Sequence, residues 1–287
     1  MSIHFLRRRI ALLAAGLLLS VTAAADPSGA PVVRFLLSFD DGPSAVPAVN
    51  PTGAILDRLA ENSLQPGIKA VFFVQTRNQG GGGTDIGRAL MERMHGEGHV
   101  LALHSGTTRG HINHTRMPRD ELAASLAAGA ADLRRVTGRA PRYIRPPYWA
   151  YNLDTLERYR VQGLSMLLDD VAFGDGKIHG YSSNRRIAAL VRAELTRVAA
   201  AIRAGLMPAL DGVYPVVVTL HDTNPATARD LERYLAYLVN EPAAVGLAVA
   251  ERPFYDATDT IDEVLALRAV HEPHTRTSLA PARHAYQ

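Results

Sequence analysis

The stretch VVRFLLSFDDGP, residues 32–43, starts as an apolar β-type run and ends in two neighbouring aspartates and a turn. Gly42 and Pro43 are typical of tight turns, so the strand should end there. Turn formation alone does not require two adjacent carboxylates, which repel each other. The stretch therefore predicts a strand that delivers Asp40 and Asp41 to one end of a sheet.

From residue 32 to about residue 270, short β-type runs alternate with longer amphipathic runs, which is typical of parallel βα units. Most of the β-type runs are apolar throughout, as expected for strands covered on both faces. The seven strand candidates are 32–39, 69–74, 99–104, 142–145, 164–168, 213–220 and 246–250. The pattern predicts an α/β fold, a single distorted (β/α)7 TIM-like barrel over residues 26–271.

Two further segments are interpreted from their composition. Residues 119–137 show helical apolar spacing and are followed by Gly138, so they are predicted to form a helix. The run QGGGG, residues 79–83, lacks the Gly-Lys-Ser/Thr ending of a phosphate loop and is predicted to be a flexible insertion.

Both ends of the chain lie outside the predicted barrel. Residues 1–25 combine three arginines, an apolar stretch and small residues at positions 23 and 25, the pattern of a secretory signal peptide. The apolar stretch is shorter than the roughly 20 residues of a membrane span. We therefore expect a periplasmic or secreted protein with no stable membrane insertion after signal cleavage. Residues 272–287 show no periodicity and are predicted to be a mobile tail.

The charge distribution argues against nucleic-acid binding. Residues 1–25 contain three arginines and no acidic residue, so the rest of the chain carries equal numbers of basic and acidic residues. No basic run or aromatic-basic motif occurs there.

Charged or imidazole side chains end five of the seven predicted strands. In a barrel of parallel strands these ends form one open face, where active sites lie. One carboxylate and two imidazoles are a three-ligand set that leaves positions for water, as in hydrolytic divalent-metal sites. The residues are Asp40, Asp41, His104, Arg145, Asp169, Asp170, His221 and Asp222.

The two neighbouring aspartates are expected to have different roles. A cation bound by Asp41 would keep both ionised, and Asp40 could then take a proton from metal-activated water. Arg145 is a candidate partner for Asp40, because guanidinium holds carboxylate in a fixed fork. His221 could protonate a leaving amine or alkoxide.

The third metal ligand is open between two histidines. A compact pair with His104 would be four residues apart, but that position is Thr108. His111 and His114 both follow in HSGTTRGHINH. His111 is preferred from its distance to Pro118, where the next helix is predicted to begin, and His114 remains the alternative.

Taken in order, SFDDGP, HSGTTRGH, IRPPYW and VTLHD resemble the first, second, third and fifth motifs of the polysaccharide deacetylases, the NodB-homology carbohydrate esterases of family 4. The resemblance spans roughly residues 32–250. It implies a distorted seven-stranded barrel, Zn²⁺ or a similar divalent cation, and hydrolysis of acetyl groups on a glycan, N-acetyl more than O-acetyl.

The resemblance also implies a role for each matching residue. Asp40 would be the base, Arg145 its orienting partner and His221 the acid. Asp41, His104 and His111 would hold the metal. The backbone N–H of Tyr148 would help hold the oxyanion, and Leu220 would line the pocket for the acetyl methyl group.

Three departures from the motifs are evident. The second motif is lengthened. The fourth, usually an Asp-Trp pair, is not clear: LLDDVAFGD offers Asp169, Asp170 and Asp175 as partners for His221 but no tryptophan. Trp149, the only tryptophan, stands where the family often has glycine, and it is either a sugar-stacking platform or a packing residue.

The leading hypothesis is an exported, metal-dependent deacetylase acting on an amino-sugar polysaccharide or related glycan. One alternative is an amidase acting on a non-sugar C–N bond. The other is a catalytically silent carbohydrate-binding module, suggested by the altered second and fourth motifs. The sequence predicts no particular oligomeric state.

Overall fold

The computed structural model of the protein describes residues 29–177 and 184–270. The predicted signal peptide, residues 1–25, and the predicted tail, residues 272–287, lie outside the described residues. Within those ranges, no helix is both long and apolar enough to cross a membrane.

One parallel sheet forms the centre of the fold, and helices follow most of its strands. Its order is β5-β4-β3-β2-β1-β7-β6, and β8 pairs with the first half of β1. The strands are β1 (Val32–Asp40), β2 (Val71–Gln75), β3 (Val100–Ser105), β4 (Tyr143–Ile144), β5 (Ser165–Met166), β6 (Val171–Ala172), β7 (Val213–His221) and β8 (Ala248–Phe254). The helices are α1 (Pro51–Ala60), α2 (Asp85–Gly96), α3 (Arg119–Thr137), α4 (Leu153–Val161), α5 (Asn184–Arg203), α6 (Pro225–Asn240) and α7 (Thr258–Arg268).

The two edge strands, β5 and β6, are joined directly by residues 167–170 and so curl the sheet into a distorted barrel. The Leu167 N–H donates to the Ile144 carbonyl at 2.9 Å, and the Asp170 N–H donates to the Val217 carbonyl at 2.9 Å. The predicted (β/α)-barrel class is confirmed. The predicted strand 164–168 is reduced to β5, and β6 follows as a second short strand, because the chain leaves β4 and joins β7 between them.

Side chains of the long strands alternate between two buried layers. On β1, Val33, Phe35, Leu37 and Phe39 pack between the sheet and the helices. Leu36 belongs to a second cluster inside the barrel. The strand therefore points its even-numbered residues inward, and Asp40 is the last of them.

Helix α7 closes the amino end of the barrel. Ile261, Val264 and Leu265 belong to the interior cluster. Thr258 Oγ1 donates to the Gly98 carbonyl at 2.8 Å, just before β3. Apart from the buried pair of Arg268 and Asp170, the interior is therefore apolar at this end, and the other polar groups described below lie at the carboxyl end.

Two local predictions have different outcomes. Helix α3 has the predicted bounds, and Gly138 ends it with a φ of 75°. Residues 79–83, predicted to be a flexible insertion, form a packed turn instead. The Asn78 carbonyl accepts from the Gly81 and Gly83 N–H groups at 3.0 and 2.9 Å. A Cβ at Gly82 would lie 2.4 Å from the Gln75 carbonyl oxygen, so glycine is needed for close backbone contact and not for flexibility.

Candidate metal centre and active site

Asp41, His104 and His111 lie together at the carboxyl ends of β1 and β3. Each offers one ligand atom, and these atoms are all within 4.8 Å of one another. Asp41 Oδ1 is 3.3 Å from His104 Nε2 and 3.5 Å from His111 Nε2. One carboxylate and two imidazoles from separate segments therefore face a common point.

His104 has the hydrogen-bonding state of a metal ligand. Its Nδ1 lies 2.8 Å from the Arg145 carbonyl oxygen. Because a carbonyl oxygen only accepts, Nδ1 carries the hydrogen and Nε2 has the free lone pair. Within the described residues, Nε2 is buried without a hydrogen-bond partner. An unpartnered nitrogen facing a carboxylate suits a divalent cation, so the residues present fit the implied metal.

Asp41 is held apart from Asp40 by its backbone. Its φ is 73°, in the left-handed region, so the two adjacent carboxylates leave the strand end in different directions. Burial alone would raise the pKa of Asp41, but the neighbouring His104, His111 and His221 outweigh it and hold that pKa well below its ordinary value. The carboxylate is therefore ionised at neutral pH.

His111 comes from the loop after β3 and lies between two rings. Its ring centroid is 5.2 Å from that of His104 and 4.2 Å from that of Tyr148. Burial, aided by His104, lowers the pKa of His111, which favours the neutral form that binds metals. His114, the alternative ligand, is buried elsewhere, with Nδ1 2.7 Å from the Tyr159 hydroxyl.

Asp40 and Arg145 form an ion pair inside the mouth of the barrel. Asp40 is 3% exposed and Arg145 is fully buried. Arg145 Nη1 donates to Asp40 Oδ1 and to Ser38 Oγ, both at 2.8 Å. The guanidinium carbon lies 4.1 Å from the Phe73 ring centroid. These contacts fix the guanidinium, and through it the carboxylate.

His221, the last residue of β7, is paired with Asp175. Its Nδ1 is 2.8 Å from Asp175 Oδ1, and its backbone N–H donates to Asp175 Oδ2 at 2.8 Å. Burial would lower the pKa of His221, but Asp175, with Asp40 and Asp41, raises it to about 10. A Cβ on Gly176 would lie 2.8 Å from the ring, so this close approach requires glycine.

Asp175 is thus the contact of His221 among the three aspartates that the sequence left open. Asp170 lies deeper in the barrel and pairs with Arg268 of α7. Asp169 is fully buried near it in the chain. Because residues 167–170 connect the two edge strands, these aspartates do not end a strand at the open face as predicted.

Leu220 does not face the site, contrary to its predicted place in an acetyl pocket. It is fully buried in the layer between sheet and helices. Alternation along β7 explains this, because Thr219 and His221 point inward and Leu220 points outward. Thr219 is 1% exposed, and its hydroxyl lies 3.3 Å from Ser38 Oγ inside the barrel.

The loop after β4 places two aromatic residues beside the metal centre. Tyr148, with a φ of 61°, is 50% exposed and donates from its hydroxyl to the His111 carbonyl at 3.3 Å. Trp149 is half-buried, and the Arg145 guanidinium lies 4.9 Å from its ring centroid. Trp149 therefore packs against the arginine that holds Asp40.

Comparison with known proteins agrees with this geometry. Residues 30–167 match the family model described as polysaccharide deacetylase. Residues 30–167 therefore belong to a polysaccharide deacetylase domain.

Relatives of the deacetylase domain are similar over part of their length. A chitin deacetylase from Pestalotiopsis sp is 31% identical over 132 residues, which are 46% of this chain and 38% of that protein. A peptidoglycan-N-acetylglucosamine deacetylase from Bacillus cereus is 33% identical over 112 residues, 39% of this chain and 35% of that protein. The chain thus spans little more than a third of the length of these curated relatives.

A solved structure shares the fold of the deacetylase domain. It is a family 4 acetyl xylan esterase from Clostridium thermocellum in complex with a cobalt ion. The TM-score is 0.55 at 20% identity, covering 85% of this chain and 97% of the other. At this identity the likeness is one of fold.

Gln75, a buried polar residue of the deacetylase domain, was missed as a site residue, and Asp222 was predicted in the wrong place. Gln75 donates from Nε2 to Asp41 Oδ1 at 2.9 Å. The sequence does indicate this residue, because Gln75 is the polar residue that ends the apolar run VFFVQ. Asp222, predicted at the open face, instead accepts from Thr52 Oγ1 at 2.9 Å, and burial raises its pKa to about 7. A Cβ on Gly42 would lie 1.9 Å from its carboxyl group, so Asp222 packs beneath the turn after Asp41.

Proposed function

We propose that the domain is a metal-dependent hydrolase that removes acetyl groups, N-acetyl in preference to O-acetyl, from an amino-sugar polysaccharide or related glycan. The observation that carries the proposal is an acid–base pair flanking a three-ligand set on one open face. The named substrates of the two sequence relatives, chitin and peptidoglycan N-acetylglucosamine, support an N-acetyl sugar.

In this proposal Asp41, His104 and His111 hold the cation, Zn²⁺ or a similar ion. When bound, such a cation lowers the pKa of a coordinated water to about 7 and polarises a carbonyl group. His104 contributes through Nε2, because its Nδ1–H is engaged by the Arg145 carbonyl. The lowered pKa of Asp41 keeps it available as an anionic ligand.

Asp40 acts as the general base. Its carboxylate is buried against Arg145, whose Nη1 donates to Oδ1 at 2.8 Å, and its proposed role is to accept a proton from water. Arg145 cannot itself give up its proton at neutral pH. The arginine therefore orients the base and does not compete with it.

His221 acts as the general acid. In the metal-free protein Asp175, with Asp40 and Asp41, outweighs burial and raises the pKa of His221, which favours the imidazolium form that an acid requires. Asp175 holds Nδ1, so Nε2 is the nitrogen that donates a proton to the departing amine. The backbone N–H of Tyr148 would stabilise the oxyanion, and Trp149 would support Arg145.

We further propose that the protein is exported to the periplasm or secreted, from the signal-like pattern of residues 1–25. This placement would give it access to cell-wall or extracellular glycans.

The test measures acetate release by the purified chain, stripped with a chelator and reloaded with Zn²⁺ or Co²⁺. Chitin oligomers, peptidoglycan and acetylated xylan are the substrates. Asp40→Asn should bind metal and lose turnover, Asp41→Asn should lose metal, and Asp57→Asn on the surface helix α1 is the matched control. A metal-loaded wild type that releases no acetate would contradict the proposal and favour an amidase or a silent binding module.

A further inference from the structure

Gln75, the last residue of β2, joins two of the segments that carry candidate metal ligands. Its side chain is buried, with the residue 3% exposed. Nε2 donates to Asp41 Oδ1 at 2.9 Å, and the backbone N–H donates to the Gly42 carbonyl at 2.8 Å. Gln75 therefore holds both the Asp41 carboxylate and the turn that follows it.

Asn78 determines which way the Gln75 amide points. The Gly80 N–H donates to Asn78 Oδ1 at 2.9 Å, so Nδ2 is the group that faces Gln75. Asn78 Nδ2 then donates to Gln75 Oε1 at 3.1 Å. Because Oε1 is engaged as an acceptor, the donor Nε2 faces Asp41. The packed glycine turn thus orients Asn78, Asn78 orients the Gln75 amide, and that amide donates to the candidate metal ligand Asp41.

The same two amides also contact the loop that carries His111. A Cβ on Gly110, the residue before His111, would lie 2.6 Å from Gln75 Oε1 and 2.8 Å from Asn78 Nδ2. Gly110 has a φ of 75°. Its backbone can approach the amides only because it has no side chain.

The length of this loop explains why such a support is needed. Six residues separate His104 from His111, too many for one helical turn to align the two rings. The position of His111 therefore depends on the turn in which Thr107 and Gly110 hydrogen-bond to each other and on contacts from other segments. Gln75 and Asn78 provide one such contact, and Gln75 also hydrogen-bonds to Asp41.

We propose that Gln75, oriented by Asn78, is a positioning residue that fixes Asp41 and seats the His111 loop, and thereby strengthens binding of a divalent cation. The inference rests on the proposed function, in that a cation binds at this site. Loss of such an outer partner typically lowers metal affinity by about 10–100-fold.

The experiment measures Co²⁺ and Zn²⁺ affinity of the chelator-stripped chain by competition with a chromogenic chelator, far below the unfolding temperature. Gln75→Met keeps the volume and removes both amide functions, so affinity should fall about 10–100-fold. Gln65→Met is the matched control. Gln65 is 5% exposed and makes two hydrogen bonds to the Phe254 backbone, away from the site. This control should lose stability but keep its metal affinity.

Two further variants test the structure of the support. Asn78→Ala, in a half-buried turn, should also lower the metal affinity. It tests the same support if Gln75→Met does not fold. Gly110→Ala should also weaken binding. Its control is Gly138→Ala, which has the same φ of 75° but open space at the Cβ position.

The outcomes separate this inference from the proposed function. A wild type that binds cation, with Gln75→Met and Asn78→Ala within twofold of it, would overturn the positioning role and leave the metal centre intact. A wild type that binds neither cation would overturn the metal centre, and this inference with it.

Discussion

Replacing Arg145 by methionine should destabilise the metal-free protein by about 3–5 kcal/mol, the usual cost of breaking a buried ion pair from one side. Arg145 is fully buried and Asp40 is 3% exposed. Methionine fills much of the same space but donates no hydrogen bond. The Asp40 carboxylate would stay buried without its cation, and the Leu167 carbonyl would lose the Nε donor at 3.2 Å.

A double-mutant cycle isolates the interaction between the two charges. Asp40→Asn alone should cost less, because the amide oxygen can still accept from Arg145. The double variant removes both charges. Its loss in free energy of unfolding should therefore be smaller than the sum of the two single-variant losses by at least about 1 kcal/mol. The same substitutions at Arg93 and Asp57, whose side chains are 35% and 71% exposed, should each cost at most about 1 kcal/mol.

The assay is urea unfolding followed by far-UV circular dichroism at pH 7 with a chelator present. The quantities compared are the free energy of unfolding and its dependence on urea concentration. A loss below about 1 kcal/mol for Arg145→Met, or additive losses in the cycle, would refute the argument that burial makes this pair strong.

Three further predictions concern single residues of the site. Asp175→Asn should shift the pKa of His221 from about 10 towards its ordinary value near 6.5, as seen by NMR of the metal-free protein. Because folding raises this pKa, protonated His221 contributes stability that is complete below about pH 6.5 and is lost as the pH rises towards 10. The urea midpoint should therefore fall across that pH range, and it should fall further in the wild type than in the variant. Gly176→Ala should slow acetate release with unchanged cation affinity, and a loss of affinity would contradict this. His111→Ala should weaken Co²⁺ binding more than 10-fold, whereas His114→Ala should lower only stability; similar Co²⁺ losses in both would count against His111.

The barrel and its polar end were predictable because long buried strands leave a clear pattern. The run 32–40 is mostly apolar before it reaches Asp40, and the run 213–221 is mostly apolar before it reaches His221. Strand pairing in register then brings Asp40 opposite His221, as parallel strands with a common end require.

The remaining details depend on contacts that local sequence does not encode. Strand β6 has two residues and exists because the chain changes neighbours there, so it has no periodic signal. Leu220 was placed in the site from motif position, although a one-residue step along a strand reverses the direction of a side chain. The choice of Asp175 for His221 depends on a short turn after β6, where nothing in the spacing separates it from Asp170.

Pairing of the first strand with a late one has a consequence for how activity appears during folding. Ser38 and Thr219, neighbours across β1 and β7, are 181 residues apart in the chain. Contacts at such separation form late, because a long loop must close before they bring any stabilisation. Asp40 and His221 are the last paired residues of this same ladder. A partly folded chain therefore has neither the proposed base nor the proposed acid in place, and recovery of turnover on refolding would report closure of the whole barrel.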